Sequence, residues 1–133
     1  MFGNPEFPLA PEALRASIAT RQDSTVVLAD DEVSGFGNLY AVEPGESCTI
    51  GNVVIDPARR RQGVARFLIE TLIAIAAKKH GARSVRLVCF NRNIGGLLLY
   101  TKLGFVPYAI EARIGPDGAP AAAIRMTCTV PGR

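Results

Sequence analysis

Tryptophan is missing from these 133 residues, and histidine occurs once, at His80. Cysteine is limited to Cys48, Cys89 and Cys128, widely spaced among apolar or β-branched neighbours. An odd, scattered set offers neither a disulfide framework nor a close pair of zinc ligands, so reduced, buried thiols and no metal are expected. Long apolar runs are lacking too. The longest, Phe67 to Ala77, is broken by Glu70 and flanked by Arg66 and Lys78, well short of the ~20 apolar residues that cross a bilayer. No membrane partner is expected. Met1 to Pro8 lacks a basic region, an apolar run and a small-residue cleavage site, which points to a cytoplasmic location.

What is present is apolar material enough for one core, 48% of the residues, on a chain too short for two ordinary domains. A single domain over residues 1–133 is expected. The net charge of +3 conceals a division. Residues 1–56 carry nine Asp or Glu against two Arg, a net of −7, while residues 57–133 carry thirteen Lys or Arg against three acids, a net of +10. The basic part suits an anionic partner and the acidic part a cationic one.

Periodicity orders the chain. Pro11 to Arg21 opens on proline and places Leu14 and Ile18 four apart, predicting a short helix. Thr25 to Ala29 and Val33 to Val42 read as strands joined by an Asp30-Asp31 turn, and Ser47 to Asp56 as a third strand with Gly51 inside it, a place for a bulge or a close backbone approach. From Gln62 to His80, Val64, Phe67, Leu68, Leu72, Ile75 and Ala76 follow helical spacing, and Lys78, Lys79, His80 and Gly81 form a helix end. Ser84 to Phe90 is a strand, Asn93 to Leu103 a helix stopped by Gly104, and Phe105 to Ile114 and Ala121 to Val130 a closing pair of strands about a Gly115 to Gly118 turn.

The chemistry concentrates in Val53 to Arg66, V-V-I-D-P-A-R-R-R-Q-G-V-A-R, where a strand enters a basic, glycine-containing turn and then the long helix. The first N–H groups of a helix lack internal partners and the helix dipole is positive there, so such a turn suits phosphate oxygens. Gly63 permits close approach, and the arginines add charge-assisted bonds.

This segment resembles the acetyl-CoA pyrophosphate motif of the GNAT superfamily of N-acetyltransferases: Arg or Gln, two residues, Gly, one residue, Gly or Ala. Here it reads Arg60, Arg61, Gln62, Gly63, Val64, Ala65. Thirty residues after Gly63, N-I-G-G-L-L-L-Y-T-K-L-G-F matches the family's second hallmark with Asn93, Tyr100, Gly104 and Phe105. The resemblance spans about residues 10–130. It implies a mixed α/β fold, a mostly antiparallel twisted sheet of about six strands flanked by three helices and splayed at a cofactor slot. Only Met1 to Ala10 remain for the family's first strand and a further helix, so that part is expected to be missing or shortened, leaving an edge that could pair in a homodimer.

The resemblance also implies roles. The main chain of Val53, Val54 and Ile55 pairs with the pantetheine arm of acetyl-CoA; the N–H groups of Arg61 to Arg66 cradle its pyrophosphate; Asn93 bonds the pantetheine chain; and the Tyr100 hydroxyl meets the thioester sulfur. An alkylamine, with an unperturbed pKa of ~10.4, must lose a proton before attacking the thioester. In relatives that acetylate protein amino termini a glutamate often stands five residues before the motif asparagine, where this chain has Val88. Glu46, Glu43 and Glu111 remain as candidate bases, with a water chain held by Asn52 and Asn91 as the alternative, and Glu46 is carried forward. A main-chain N–H near Val53 and Val54 is the candidate oxyanion donor. Phe36, Asn38 and Tyr40 alternate with Gly35, Gly37 and Leu39, so their face is a candidate acceptor lining or a half-buried sheet face. His80 is explained by its helix end.

An acetyltransferase for a cationic or peptide amine is thus the leading reading. A catalytically inactive CoA-binding sensor is the alternative, suggested by Val88 and the short front end. A basic nucleic-acid-binding module ranks last, because the basic half lacks a stacking platform or recognition helix, and no nucleic-acid partner is expected.

Overall fold

The structure, a computed structural model, describes residues 22–29, 31–57, 63–115 and 117–130. The helix expected over Pro11 to Arg21, and the Arg60, Arg61 and Gln62 part of the basic turn, lie outside these residues. Among the described residues, six strands and two helices follow in the order β1 (Gln22–Ala29), β2 (Glu32–Glu43), β3 (Ser47–Ile55), α1 (Val64–His80), β4 (Ser84–Phe90), α2 (Ile94–Lys102), β5 (Val106–Ile114) and β6 (Pro120–Thr129). They form one sheet in the order β1-β2-β3-β4-β6-β5. Every neighbouring pair is antiparallel except β3 and β4. This is a mixed α/β fold with an open, mostly antiparallel sheet.

One stripe of α1, made of Val64, Leu68, Leu72 and Ala76 with Ile69 beside it, is buried and packs on the sheet face that also presents Leu39, Ile50, Val85, Leu87 and Met126. Phe67 departs from the spacing read in the sequence: it stands one residue from Leu68, about 100° round the helix, and is 60% exposed. Two glycines set how closely α1 approaches β2. A Cβ on Gly37 would lie 3.0 Å from a Leu72 methyl, and one on Gly35 would lie 3.1 Å from methyls of both Ile55 and Val64. Their bare backbones let α1 lie against the sheet with its first residue at the end of β3.

The helix ends as its sequence indicates. Gly81 takes a left-handed conformation (φ 66°), and the N–H groups of Gly81 and Ala82 donate to Ala77 and Ala76, meeting carbonyls that the last turn cannot satisfy internally. His80 does more than close that end. Its Nε2 lies 2.6 Å from Asp23 Oδ2, and Lys79 Nζ lies 2.5 Å from Oδ1, so the C-terminal end of α1 is tied to β1. Burial would push the Asp23 carboxyl up, but the bonds from His80 and Lys79 outweigh it and hold the carboxyl below its ordinary value.

Candidate active site

The sheet is not zipped along its whole length. β3 and β4 share three register pairs, Ser47 with Ser84, Cys48 with Val85 and Thr49 with Arg86. Beyond them β4 continues against β6 through Phe90, and β3 continues against β2 through Ile55. The two central strands therefore part after Thr49 and Arg86. Their facing main chains lose each other as partners in the middle of the sheet, which costs free energy unless another group pairs with them.

A bulge accompanies the parting. Phe36 faces Val54 and Asn38 faces Gly51, so three steps on β3 oppose two on β2, and the extra residue falls between Gly51 and Val54. The sequence placed a bulge at Gly51, and the irregularity begins there. Past the bulge the ladder resumes, with the Asp56 N–H donating to the Ser34 carbonyl at 2.8 Å. Antiparallel pairs alternate in their bonding, so the main chain of Val54 turns to β2 and that of Ile55 turns away from it, into the gap. Val54 is buried, while Val53 and Ile55 are half-buried against the core.

At the end of β3 the chain enters α1 through Gly63, which is left-handed (φ 79°, ψ 4°) and caps the helix without a side-chain hydrogen bond. No acidic side chain occupies the first turn. The first intrahelical bond runs from the Phe67 N–H to the Gly63 carbonyl. The N–H groups of Val64, Ala65 and Arg66 precede that bond and stand at the positive end of the dipole. A Cβ built on Gly63 would meet nothing within 4 Å. Arg66 points outward and pairs with Glu70 at 3.5 Å.

Beyond the parted end of β4, Asn93 starts α2. Its Oδ1 accepts from the Gly96 N–H at 3.0 Å, the capping role that asparagine fills well; sequence reasoning saw only a pantetheine ligand here. Two turns along, Tyr100 is buried and its ring meets Phe105 edge to face, centroids 5.9 Å apart. The Phe105 N–H donates to the Tyr100 carbonyl at 2.9 Å, across a left-handed Gly104 (φ 98°). The Tyr-x-x-x-Gly-Phe pattern thus fixes the tyrosine: the glycine turns the chain and returns the phenylalanine ring to its side. Burial, and then the nearby Cys89, push the Tyr100 phenol well above its ordinary range. Burial likewise raises the Cys89 thiol to about 11. Both groups stay protonated at neutral pH.

The candidate bases lie apart from this arrangement. Glu46 is exposed in the turn before β3, where its carbonyl accepts from the Arg83 and Ser84 N–H groups at the zipped end of the sheet. Glu43 is exposed at the end of β2. Glu111 pairs with Arg125 and, at 3.3 Å, with Arg113 on the β5–β6 hairpin. Asn91 Oδ1 accepts from the Ala122 N–H. Phe36 and Asn38 are buried and Tyr40 half-buried. Among the described residues no three His, Cys, Asp or Glu side chains converge as metal ligands.

A central strand pair that parts, a bulge at the parting, a helix that starts at Gly63 with no acidic side chain in its first turn and a buried tyrosine on the second helix are set in an open, mostly antiparallel α/β sheet. The family model described as acetyltransferase (GNAT) family matches residues 2–105, and the chain belongs to that family. No curated sequence matches it. Among solved structures it is similar to the ribosomal-protein-S18-alanine N-acetyltransferase of Escherichia coli, with 25% identity over 93% of this chain and 79% of the other and a TM-score of 0.78. A GNAT acetyltransferase of Elizabethkingia anophelis with acetyl-CoA bound shares 20% identity over 91% and 84%, TM-score 0.71. A spermidine N-acetyltransferase of Vibrio cholerae shares 20% over 89% and 72%, TM-score 0.74.

Proposed function

We propose that this protein transfers the acetyl group of acetyl-CoA to a primary amine of a small molecule or peptide, by direct attack within a ternary complex. The observation that carries the reading is the gap between β3 and β4 beyond Thr49 and Arg86. An amide-bearing arm such as pantetheine offers the alternating donors and acceptors that an unpaired strand needs. The Ile55 main chain is turned to meet it, with Val53 and Val54 at the bulge completing the wall and Asn93 beside the opposite strand. The helix start at Gly63, with the N–H groups of Val64, Ala65 and Arg66, suits the pyrophosphate, and Arg60, Arg61 and Gln62 extend that turn in the sequence. Acetyl-CoA bound to one structural neighbour, and the amine acceptors named for two others, support the same reading.

The amine nitrogen forms its bond to the thioester carbon, the carbon–sulfur bond breaks, and the sulfur keeps the electron pair. A thiol has an ordinary pKa of ~8.5, and the Tyr100 phenol lies above its own ~10. Full proton transfer from Tyr100 to the departing thiolate is therefore uphill. Tyr100 acts as a hydrogen-bond donor that stabilises developing charge on sulfur, in surroundings where such a bond is stronger than in water. Glu46 stands five residues before Gly51, ~17 Å along an extended strand, too far to take the amine proton itself, so any part it has as base runs through a water relay.

A thiol-release assay with acetyl-CoA against a panel of amines tests this, run alongside Tyr100→Phe and Glu46→Gln. The expected result is turnover with at least one amine, a fall in kcat on the order of 10²-fold for Tyr100→Phe, and acetyl-CoA affinity kept within about threefold, less than the loss of a typical hydrogen bond. Tight binding with no turnover on any amine would leave the sensor reading. Unchanged kcat in Tyr100→Phe would remove the tyrosine from the chemistry.

A further inference from the structure

The β4 residues along the gap have two faces of unlike character. Val85, Leu87 and Cys89 belong to the core beneath the helices, together with Tyr100, so alternation along the strand puts Arg86, Val88 and Phe90 on the opposite face. An arm lying between β3 and β4 has the helices on one side, and an amine reaches it from the other. There Arg86 stands at the last register pair before the strands part, beside Thr49.

This face is basic where it borders the gap. In β6 the residues opposite Arg86 and Val88 are Thr127 and Arg125. In β5 the register shifts between Pro107 and Ala109. The extra residue is Tyr108, and such bulges re-aim side chains: the Arg86 guanidinium carbon lies 5.7 Å from the Tyr108 ring centroid. The Tyr108 hydroxyl also interacts with Arg125. Glu111 holds Arg125 on one carboxylate oxygen and Arg113 on the other. Three arginines thus stand against one glutamate, a net of +2, and among the described residues no carboxylate pairs with Arg86. A guanidinium resting on a ring keeps its N–H groups along its edge, a fork that matches the oxygens of a carboxylate or phosphate.

We propose that Arg86, braced by Tyr108 and Arg125, binds an anionic group, carboxylate or phosphate, that the amine acceptor itself carries. The inference rests on the transfer reaction proposed above and narrows its acceptor to amines of the amino-acid or aminoalkyl-phosphate type. Arg86 stands two residues from Val88, ~6.6 Å along the strand, so a long side chain at the parting covers the space beside the gap. Amine and anion are then separated by only a few carbons. The ammonium end of such an acceptor turns to the acidic β1–β3 portion of the chain and its anion to the basic strands, so the charge division of the sequence fits a dipolar acceptor.

Matched acceptors decide it in the thiol-release assay at saturating acetyl-CoA: amino acids beside the amines left when their carboxylate is removed, with aminoalkylphosphonates as the phosphate arm and diamines as the cationic one. In wild type the anion-bearing member of a pair is expected to have a KM lower by about tenfold or more, the worth of a charge-assisted hydrogen bond. The arm that is preferred identifies the anion. Arg86→Gln, folded by circular dichroism and binding acetyl-CoA, is expected to shrink that ratio to about twofold by raising KM for the anion-bearing member, with kcat moving less than KM. Arg86→Glu is expected to turn the preference toward diamines. Equal KM across the wild-type pairs, or a ratio indifferent to both variants, would overturn the proposal. If acetyl-CoA binds and no amine turns over, it is the transfer reading that fails, and isothermal titration of the same pairs into the CoA-loaded protein then reads the anion site directly. Binding that depends on the anion and is lost in Arg86→Gln is expected there, and binding that ignores the anion would overturn it.

Discussion

The Tyr100 phenol is held in a site that keeps its proton. A group whose value is raised on folding stays protonated to higher pH than it would in water, so Tyr100 remains a donor throughout the range in which amines lose their protons. The rate should therefore climb with pH as the acceptor deprotonates, without a downturn from tyrosine ionisation below about pH 10. A kcat profile together with tyrosinate absorbance checks this: Tyr100→Phe should remove no tyrosinate signal at that pH. The neighbouring glycines give a second test. A Cβ on Gly95 meets nothing within 4 Å, whereas one on Gly96 would lie 2.5 Å from Asn93 Nδ2. Gly95→Ala should stabilise the protein by about 0.5–1 kcal/mol through helix propensity. Gly96→Ala should instead destabilise it, because the new methyl evicts a cap worth about 1 kcal/mol; denaturant unfolding of the pair compares the two signs directly.

Elements show where sequence reading succeeds and where it stops. Among the described residues the strands and helices were legible to within a residue or two, save that β1 begins at Gln22 rather than Thr25, because each has its own period and punctuation: Gly81 and Gly104 do end helices, and the bulge does begin at Gly51. That the sheet is splayed was implied by the family resemblance, but the residues at which β3 and β4 part, after Thr49 and Arg86, were not legible, since they depend on how neighbouring strands register rather than on either strand's composition. The Asp23–His80 tie was hidden for the same reason, its partners lying 57 residues apart. That tie makes a prediction. Asp23 has a depressed value in the folded state, so its stabilisation is present above the ordinary ~3.9 of an aspartate and disappears as pH falls through the lower folded value. Asp23→Asn keeps the side-chain shape and tolerates the left-handed backbone (φ 56°). It should cost on the order of 1.5 kcal/mol at pH 7, roughly 5 °C in Tm, and the gap from wild type should close below about pH 4.

At the scale of the whole molecule, the charge division in the sequence coincides with the division in the sheet. Strands β1 to β3 fall within the −7 portion, and α1, β4, α2, β5 and β6 fall within the +10 portion. The parting of β3 from β4 therefore falls where the acidic portion of the sequence gives way to the basic one in the order of the sheet. Under the proposed function, a polyanionic cosubstrate would enter with its charge toward the helix side, and a cationic acceptor would approach from the other. Long-range attraction of this kind acts on encounter and is screened by salt, the Debye length shrinking from about 20 Å to about 4 Å between 0.02 and 0.5 M. Stopped-flow binding of acetyl-CoA should then show an association rate that falls by roughly tenfold over that range, while the dissociation rate, set by short contacts inside the gap, changes far less. If both portions steer, KM for a diamine should rise with salt more steeply than KM for a monoamine of the same length. Equal salt dependence for the two would mean that the acidic strands contribute nothing to acceptor capture and that steering belongs to the basic side alone.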